Sequence, residues 1–138
     1  MTTGESLINW LYGFGGIESE DLIETDQLSG EAGSYGLYKQ PNTIETLFID
    51  GTRDVTEYYY LLARRASKGE SARASNLAWM ERLENWVRAQ NMARRLPELD
   101  GKRVCNSVKV SVSAYMSDAE DKGTAEYQMS LNINYTEV

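Results

Sequence analysis

The run EYQMSLNINY at residues 126–135 narrows the choice of fold more than any other stretch of the chain. Tyr127, Met129, Leu131, Ile133 and Tyr135 alternate with Gln128, Ser130, Asn132 and Asn134. Side chains of an extended strand point alternately to its two faces, so this pattern predicts a sheet strand with one apolar and one wet face. Residues 104–116 carry a similar alternation. Val104, Asn106, Val108, Val110, Val112 and Ala114 share one parity, and Cys105, Ser107, Lys109, Ser111, Ser113 and Tyr115 the other. The polar segment SDAEDKGT between the two runs reads as the turn of a hairpin.

Two further strands are expected upstream. TIETLFID at 43–50 alternates, and Asp50-Gly51 follows, a pair that accepts the positive φ of a tight hairpin turn. The return strand spans about 53–64. Val55, Glu57, Tyr59 and Leu61 lie on one face, and Thr56, Tyr58, Tyr60 and Leu62 on the other. Both faces carry aromatic or apolar groups, so a helix is expected over one, and the Gly-rich arm or a neighbouring subunit over the other.

Helices account for the remaining periodic segments. Leu7, Ile8, Trp10, Leu11 and Phe14 recur at helical spacing after Thr2 or Thr3 as cap, with Gly13, Gly15 and Gly16 as the stop, giving a short helix over about 3–14. From about 70 to 92, Trp79, Met80, Leu83, Trp86 and Val87 fall on one stripe of a longer helix. Leu96-Pro97 and Asp100-Gly101 then turn the chain. Residues 24–42 read as a Gly-rich arm or ordered loop, partly strand, with a short extended piece around Tyr35–Tyr38 ending at Pro41. The expectation is one α+β domain over residues 1–138, with an antiparallel sheet of about four strands packed on a long helix and a short N-terminal one.

Composition removes several function classes. The 138 residues include no histidine, which takes away the commonest general base and metal ligand. The single cysteine, Cys105, has no internal disulfide partner and no histidine to activate it, so it reads as structural, in a chain made in a reducing compartment. GFGG at 13–16 lacks the preceding strand that a phosphate-binding loop needs. The carboxylates Glu18, Glu20, Asp21, Glu24 and Asp26 lack the alternation and central glycine of a calcium loop and read as a solvated acidic segment, within which Leu22 and Ile23 can anchor a short strand or turn. No catalytic, cofactor-binding or metal-binding residue is expected, and the chain reads as a non-enzyme without a cofactor.

A net charge of −7 argues against a phosphate-binding face. Arg64, Arg65, Lys68, Arg73, Arg82, Arg88, Arg94 and Arg95 gather around the long helix, interspersed with Glu70, Glu81 and Glu84, the pattern of an ion-paired solvated face. The first ten residues have neither the basic start nor the apolar run of a secretory signal, and no stretch approaches a membrane span. Three consecutive tyrosines on a strand must face both ways, so part of the Tyr58–Tyr60 run is exposed or meets a partner. Tyr35, Tyr38, Tyr58, Tyr59, Tyr60, Arg64 and Arg65 are the candidate subunit-interface residues.

The stretch IETDQLSGEAGSYGLYKQPN (23–42), followed by DGTRDVTEYYYLLAR, a Trp-bearing helix and a final YQMSLNINY strand, resembles a family of small tailed-phage proteins. These are the minor capsid proteins that look like tail terminator, or tail completion, proteins. The likeness spans roughly residues 8–136, and its most specific part is TDQL…GSYGLYK…PN. It implies an α/β fold and a ring, usually a hexamer, that caps the tail tube and joins it to the head. It also implies as partners copies of the same chain, the tail tube protein and head–tail connector proteins, with DNA passing through the lumen unbound and no membrane. The implied place is the virion tail or neck, assembled in the host bacterial cytoplasm. The alternatives are another neck connector, or a small-ligand-binding domain with the aromatic hairpin as a pocket wall.

Overall fold

A computed structural model describes residues 2–17, 23–29, 32–119 and 123–138. Helix α1 spans Thr3–Leu11 and α2 spans Glu70–Met92. The strands are β1 (Ile23–Thr25), β2 (Ser34–Leu47), β3 (Arg53–Ala66), β4 (Arg103–Ala119) and β5 (Thr124–Glu137). The class is α+β, but the sheet differs from the four antiparallel strands expected. It has five strands in the order β1-β2-β3-β5-β4, and β1 runs parallel to β2. Only three residues long, β1 is too short to leave a periodic signal in the sequence.

The Gly-rich segment is largely incorporated into this sheet. Asp26 extends the β1–β2 pairing, its N–H donating to the Leu37 carbonyl (2.9 Å). The chain then passes close over β2, and a Cβ on Gly36 would lie 2.2 Å from the Gln27 carbonyl oxygen. Only glycine permits that approach. The extended piece does not end at Pro41, since β2 continues through it to Leu47. A register shift between Lys39 and Thr43 removes the need for an N–H there, and β1 pairs only as far as Leu37. The acidic residues Glu18, Glu20 and Asp21, and Gly30, lie outside the described residues.

Helix α1 begins one residue after Thr2, which forms a capping box. The Thr2 hydroxyl accepts from the Glu5 N–H (3.1 Å), and the Glu5 carboxylate accepts from the Thr2 N–H (3.0 Å). It ends at Leu11, short of the expected 14, and the turn beyond still buries Phe14 and Ile17. Helix α2 matches its expected bounds and buries Asn76, Trp79, Met80, Leu83 and Val87.

Both helices pack on one face of the sheet, against Tyr59, Leu61, Met129, Leu131 and Ile133. An aromatic seam joins them. Trp10 and Trp86 are 4.7 Å apart between ring centroids, Phe14 lies 5.8 Å from Trp86 and 6.1 Å from Trp79, and Tyr35 lies 5.8 Å from Trp79. The buried Asn76 fastens α2 to the sheet, donating to the Ala66 carbonyl (2.8 Å) and the Tyr127 hydroxyl (3.1 Å) while accepting from Arg65 Nε (2.8 Å).

Strand β4 breaks the parity expected for it. Register shifts occur between Cys105 and Ser107, between Val110 and Val112, between Val112 and Tyr115, and between Met116 and Asp118. Each bulge inserts a residue and flips the side chains beyond it. Cys105 is therefore buried with Val108, whereas Val104 and Val112 are exposed.

Candidate assembly surface

The second face of the sheet is built by parity alone. On β3, Val55, Glu57, Tyr59, Leu61 and Ala63 point into the helix layer, so Thr56, Tyr58, Tyr60 and Leu62 must point away from it. Cross-strand register places Tyr38, Tyr60, Ser130 and Val112 in one row, and Gly36, Leu62, Gln128 and Tyr115 in the next. Tyr58, Asn132 and Lys109 form a third. Neither helix covers these rows. Ser130, flanked by Tyr60 and Val112, is nonetheless buried. Toward the hairpin end the face becomes a polar ladder. Asn106 Nδ2 donates to Asn134 Oδ1 and Thr136 Oγ1 (both 2.9 Å), and Asn134 Nδ2 donates to Asp54 Oδ2 (3.1 Å) and Thr56 Oγ1 (3.0 Å).

The β2–β3 hairpin carries the longest consecutive run of large exposed apolar groups among the described residues. Residues 41–51 are all exposed, with Leu47, Phe48 and Ile49 at 71%, 49% and 109%. The turn is a three-residue loop closed by the Phe48 N–H donating to the Thr52 carbonyl (2.9 Å), with Gly51 at φ +90°. Asp50 Oδ1 accepts from both the Thr52 N–H (3.0 Å) and its hydroxyl (2.7 Å), which holds the Asp50 carboxyl below its usual range. The loop is thus pinned by its own side chains.

The candidate interface residues divide by strand parity. Tyr38 stands opposite Tyr60 on the open face, with Tyr58 beside them. Tyr35 and Tyr59 are buried in the core of their own chain. Arg65 is folded inward, its guanidinium 4.4 Å from the Trp79 ring centroid and donating to the Tyr35 hydroxyl (3.1 Å). Arg64 donates through Nε to the Ser29 carbonyl (3.0 Å). The exposed Ile44, Leu47, Phe48 and Ile49 escaped that choice, although three apolar residues immediately before Asp50-Gly51 are anomalous for a turn.

A polar cluster with a cavity of about 450 Å³ lies between the start of α1 and strands β1–β3. The buried Glu57 accepts from Lys39 Nζ at 2.8 Å. That hydrogen bond raises the Lys39 pKa, and burial, followed by the charge of Glu57, raises those of Tyr59 and Tyr135. Arg103 donates to the Thr3 hydroxyl (2.6 Å) and lies over the Tyr135 ring. The cluster ties the N-terminus of α1 to the sheet. Among the described residues, no three His, Cys, Asp or Glu side chains are grouped to hold a metal ion, and no helix is long and apolar enough to cross a membrane.

Burial pushes the Cys105 thiol up to about 11. The reactive thiolate is therefore scarce at pH 8. A colourless disulfide reagent at pH 8 is expected to leave native protein unlabelled on the timescale of minutes, and to titrate one thiol per chain in denaturant. Rapid labelling of the native chain would refute a purely structural cysteine.

No known protein-family model matches the chain, and no curated protein does either.

Proposed function

We propose that the protein is a structural component of a tailed-phage virion, which self-associates into a ring that caps the tail tube and joins it to the head. The observation that carries the self-association is the β2–β3 hairpin, whose preformed turn holds Leu47, Phe48 and Ile49 in solvent. Contiguous exposed apolar groups on a rigid element mark contact surfaces rather than catalytic ones. The open face with Tyr38, Tyr58 and Tyr60 adds aromatic area with hydrogen-bonding tips. The tail-terminator class comes from the sequence resemblance over residues 23–42 and the segments that follow. In this reading the net charge of −7 serves a channel through which DNA slides without sticking.

Light scattering of the purified protein, with negative-stain microscopy in the presence of tail tubes, tests the reading. The expected result is a multimer, with density capping tube ends. A protein that stays monomeric at all concentrations and never decorates tubes would exclude it. A ring that binds a neck connector but not tube ends would favour the neighbouring station in the neck.

A further inference from the structure

We infer that two copies of the chain join edge to edge through strand β2, antiparallel about a two-fold axis beside Ile44. The contact needs only the self-association part of the proposed reading. It closes at two copies, so it is separate from the head-to-tail contact that a ring requires.

Backbone hydrogen bonding leaves residues 43–47 as an open edge. Strand β2 has β3 on one side, and β1 pairs along its other side only as far as Leu37. The bonds already made show which groups face the free side. On the β1 side the Leu37 carbonyl accepts from the Asp26 N–H, and the Lys39 N–H donates to Asp26 Oδ1 (3.3 Å). At the other end of the strand the Phe48 N–H donates toward β3, to the Thr52 carbonyl. The N–H and C=O of one strand residue point the same way, and successive residues alternate. Thr43, Glu45 and Leu47 therefore aim their backbone groups at solvent. Pro41 also takes an outward place, where its missing N–H breaks no bond to β3. From Thr43 to Leu47 the ladder to β3 runs without a shift, and every one of these residues is exposed. A straight edge of this kind recruits a strand of matching pattern unless Lys, Pro or a bulge interrupts it. Here Lys39 and Pro41 stand before the open stretch, not within it.

The pattern is complementary to a second copy of itself. A two-fold beside Ile44 sets Thr43 opposite Glu45 of the second copy, and each such pair exchanges both backbone bonds. Ile44, which is 58% exposed, then meets Ile44 of the second copy at a non-hydrogen-bonded position, where Cα atoms approach to about 4.5 Å. Leu47 lies over Pro41 of the second copy. Glu45, the one charge between Thr43 and Leu47, faces a threonine and is already ion-paired with its own Arg53. Moving the axis one residue toward the tip would set Glu45 directly against Glu45, a destabilising pair. Moving it one residue the other way would set Glu45 opposite Pro41, which has no N–H to give. The β4 border offers no substitute partner, since its register changes four times.

Ile44→Cys in a Cys105→Ala background tests the pairing, with Thr46→Cys as the control and circular dichroism confirming the fold of each. In a glutathione redox buffer, Ile44→Cys is expected to give a disulfide-linked dimer. Thr46→Cys is also at an exposed position, but the pairing holds its two copies roughly 13 Å apart along the strands, too far for a disulfide. Equal cross-linking of the two variants, or none in either while wild type self-associates, would overturn the pairing and leave the ring reading standing. As a second measurement, Ile44→Asp sets two carboxylates against each other. It is expected to raise the concentration for half-association in light scattering roughly tenfold or more. Unchanged association would overturn the pairing. So would a variant that still self-associates but no longer binds tail tubes, since the edge would then belong to the tube protein. Dimers linked at position 44 that never build rings or cap tubes would uphold the pairing and remove the ring. A wild-type protein monomeric at every concentration would remove both.

Discussion

Replacing Trp79 with alanine is expected to lower the midpoint of thermal unfolding by roughly 15 °C. Trp79 is buried, and its indole touches Phe14 and Tyr35 and lies under the Arg65 guanidinium. Its Nε1 donates to the Gly16 carbonyl at 2.9 Å. Truncating a buried tryptophan costs about 3–5 kcal/mol through lost contacts and the cavity left behind. In a chain of this length each kcal/mol shifts the midpoint by roughly 3–4 °C. Trp79→Phe separates the contributions, because it keeps most of the apolar area and leaves the Gly16 carbonyl without its donor. Its expected cost is about 1–2 kcal/mol. A melt followed by circular dichroism checks both. A shift smaller than about 4 °C for the alanine variant, the cost of roughly 1 kcal/mol, would mean that the aromatic seam is not what joins the helices.

Gly36→Ala is expected to cost roughly 3 kcal/mol, the upper part of the range for overpacking, although it adds one methyl group. That methyl would sit 2.2 Å from the Gln27 carbonyl oxygen and 3.0 Å from the Tyr38 ring. The backbone at 27 cannot yield without loosening β1, whose short ladder to β2 runs through Ile23, Glu24 and Thr25 and is extended by Asp26. Hydrogen exchange should therefore accelerate first at Asp26, whose N–H is held by the Leu37 carbonyl. Gly15→Ala is the control, since its added Cβ meets nothing within 4 Å beyond its own chain neighbours, and it is expected to stay within about 0.5 kcal/mol of wild type. Equal denaturation midpoints for the two variants would contradict the close crossing.

How much of this was legible in the sequence depended on whether the signal was periodic. Helix α2 was readable because Trp79, Met80, Leu83 and Val87 recur on one stripe over more than two turns, and β5 because its alternation is uninterrupted. Strand β4 was readable as a strand but not in its facing, because a bulge changes parity without changing composition. Around Ile23 a short strand or turn was legible, but not its parallel pairing, because Ile23–Thr25 gains its place from β2, not from its own pattern. Pro41 argued for a break that the register shift beside it makes unnecessary. Among the interface candidates, the tyrosine run correctly implied two facings, but sequence left open which ring went where. The chain's position in the sheet sent Tyr59 inward and left Tyr58 and Tyr60 outside.

The interruptions along β4 carry a consequence for how copies meet. This strand is one border of the sheet, and a straight border of unpaired backbone groups would recruit any extended chain that came near. Four changes of register leave its outward N–H and C=O groups out of step with a regular ladder. A second copy cannot zip onto that border without first ironing it flat, so uncontrolled stacking is blocked there and docking is left to side chains.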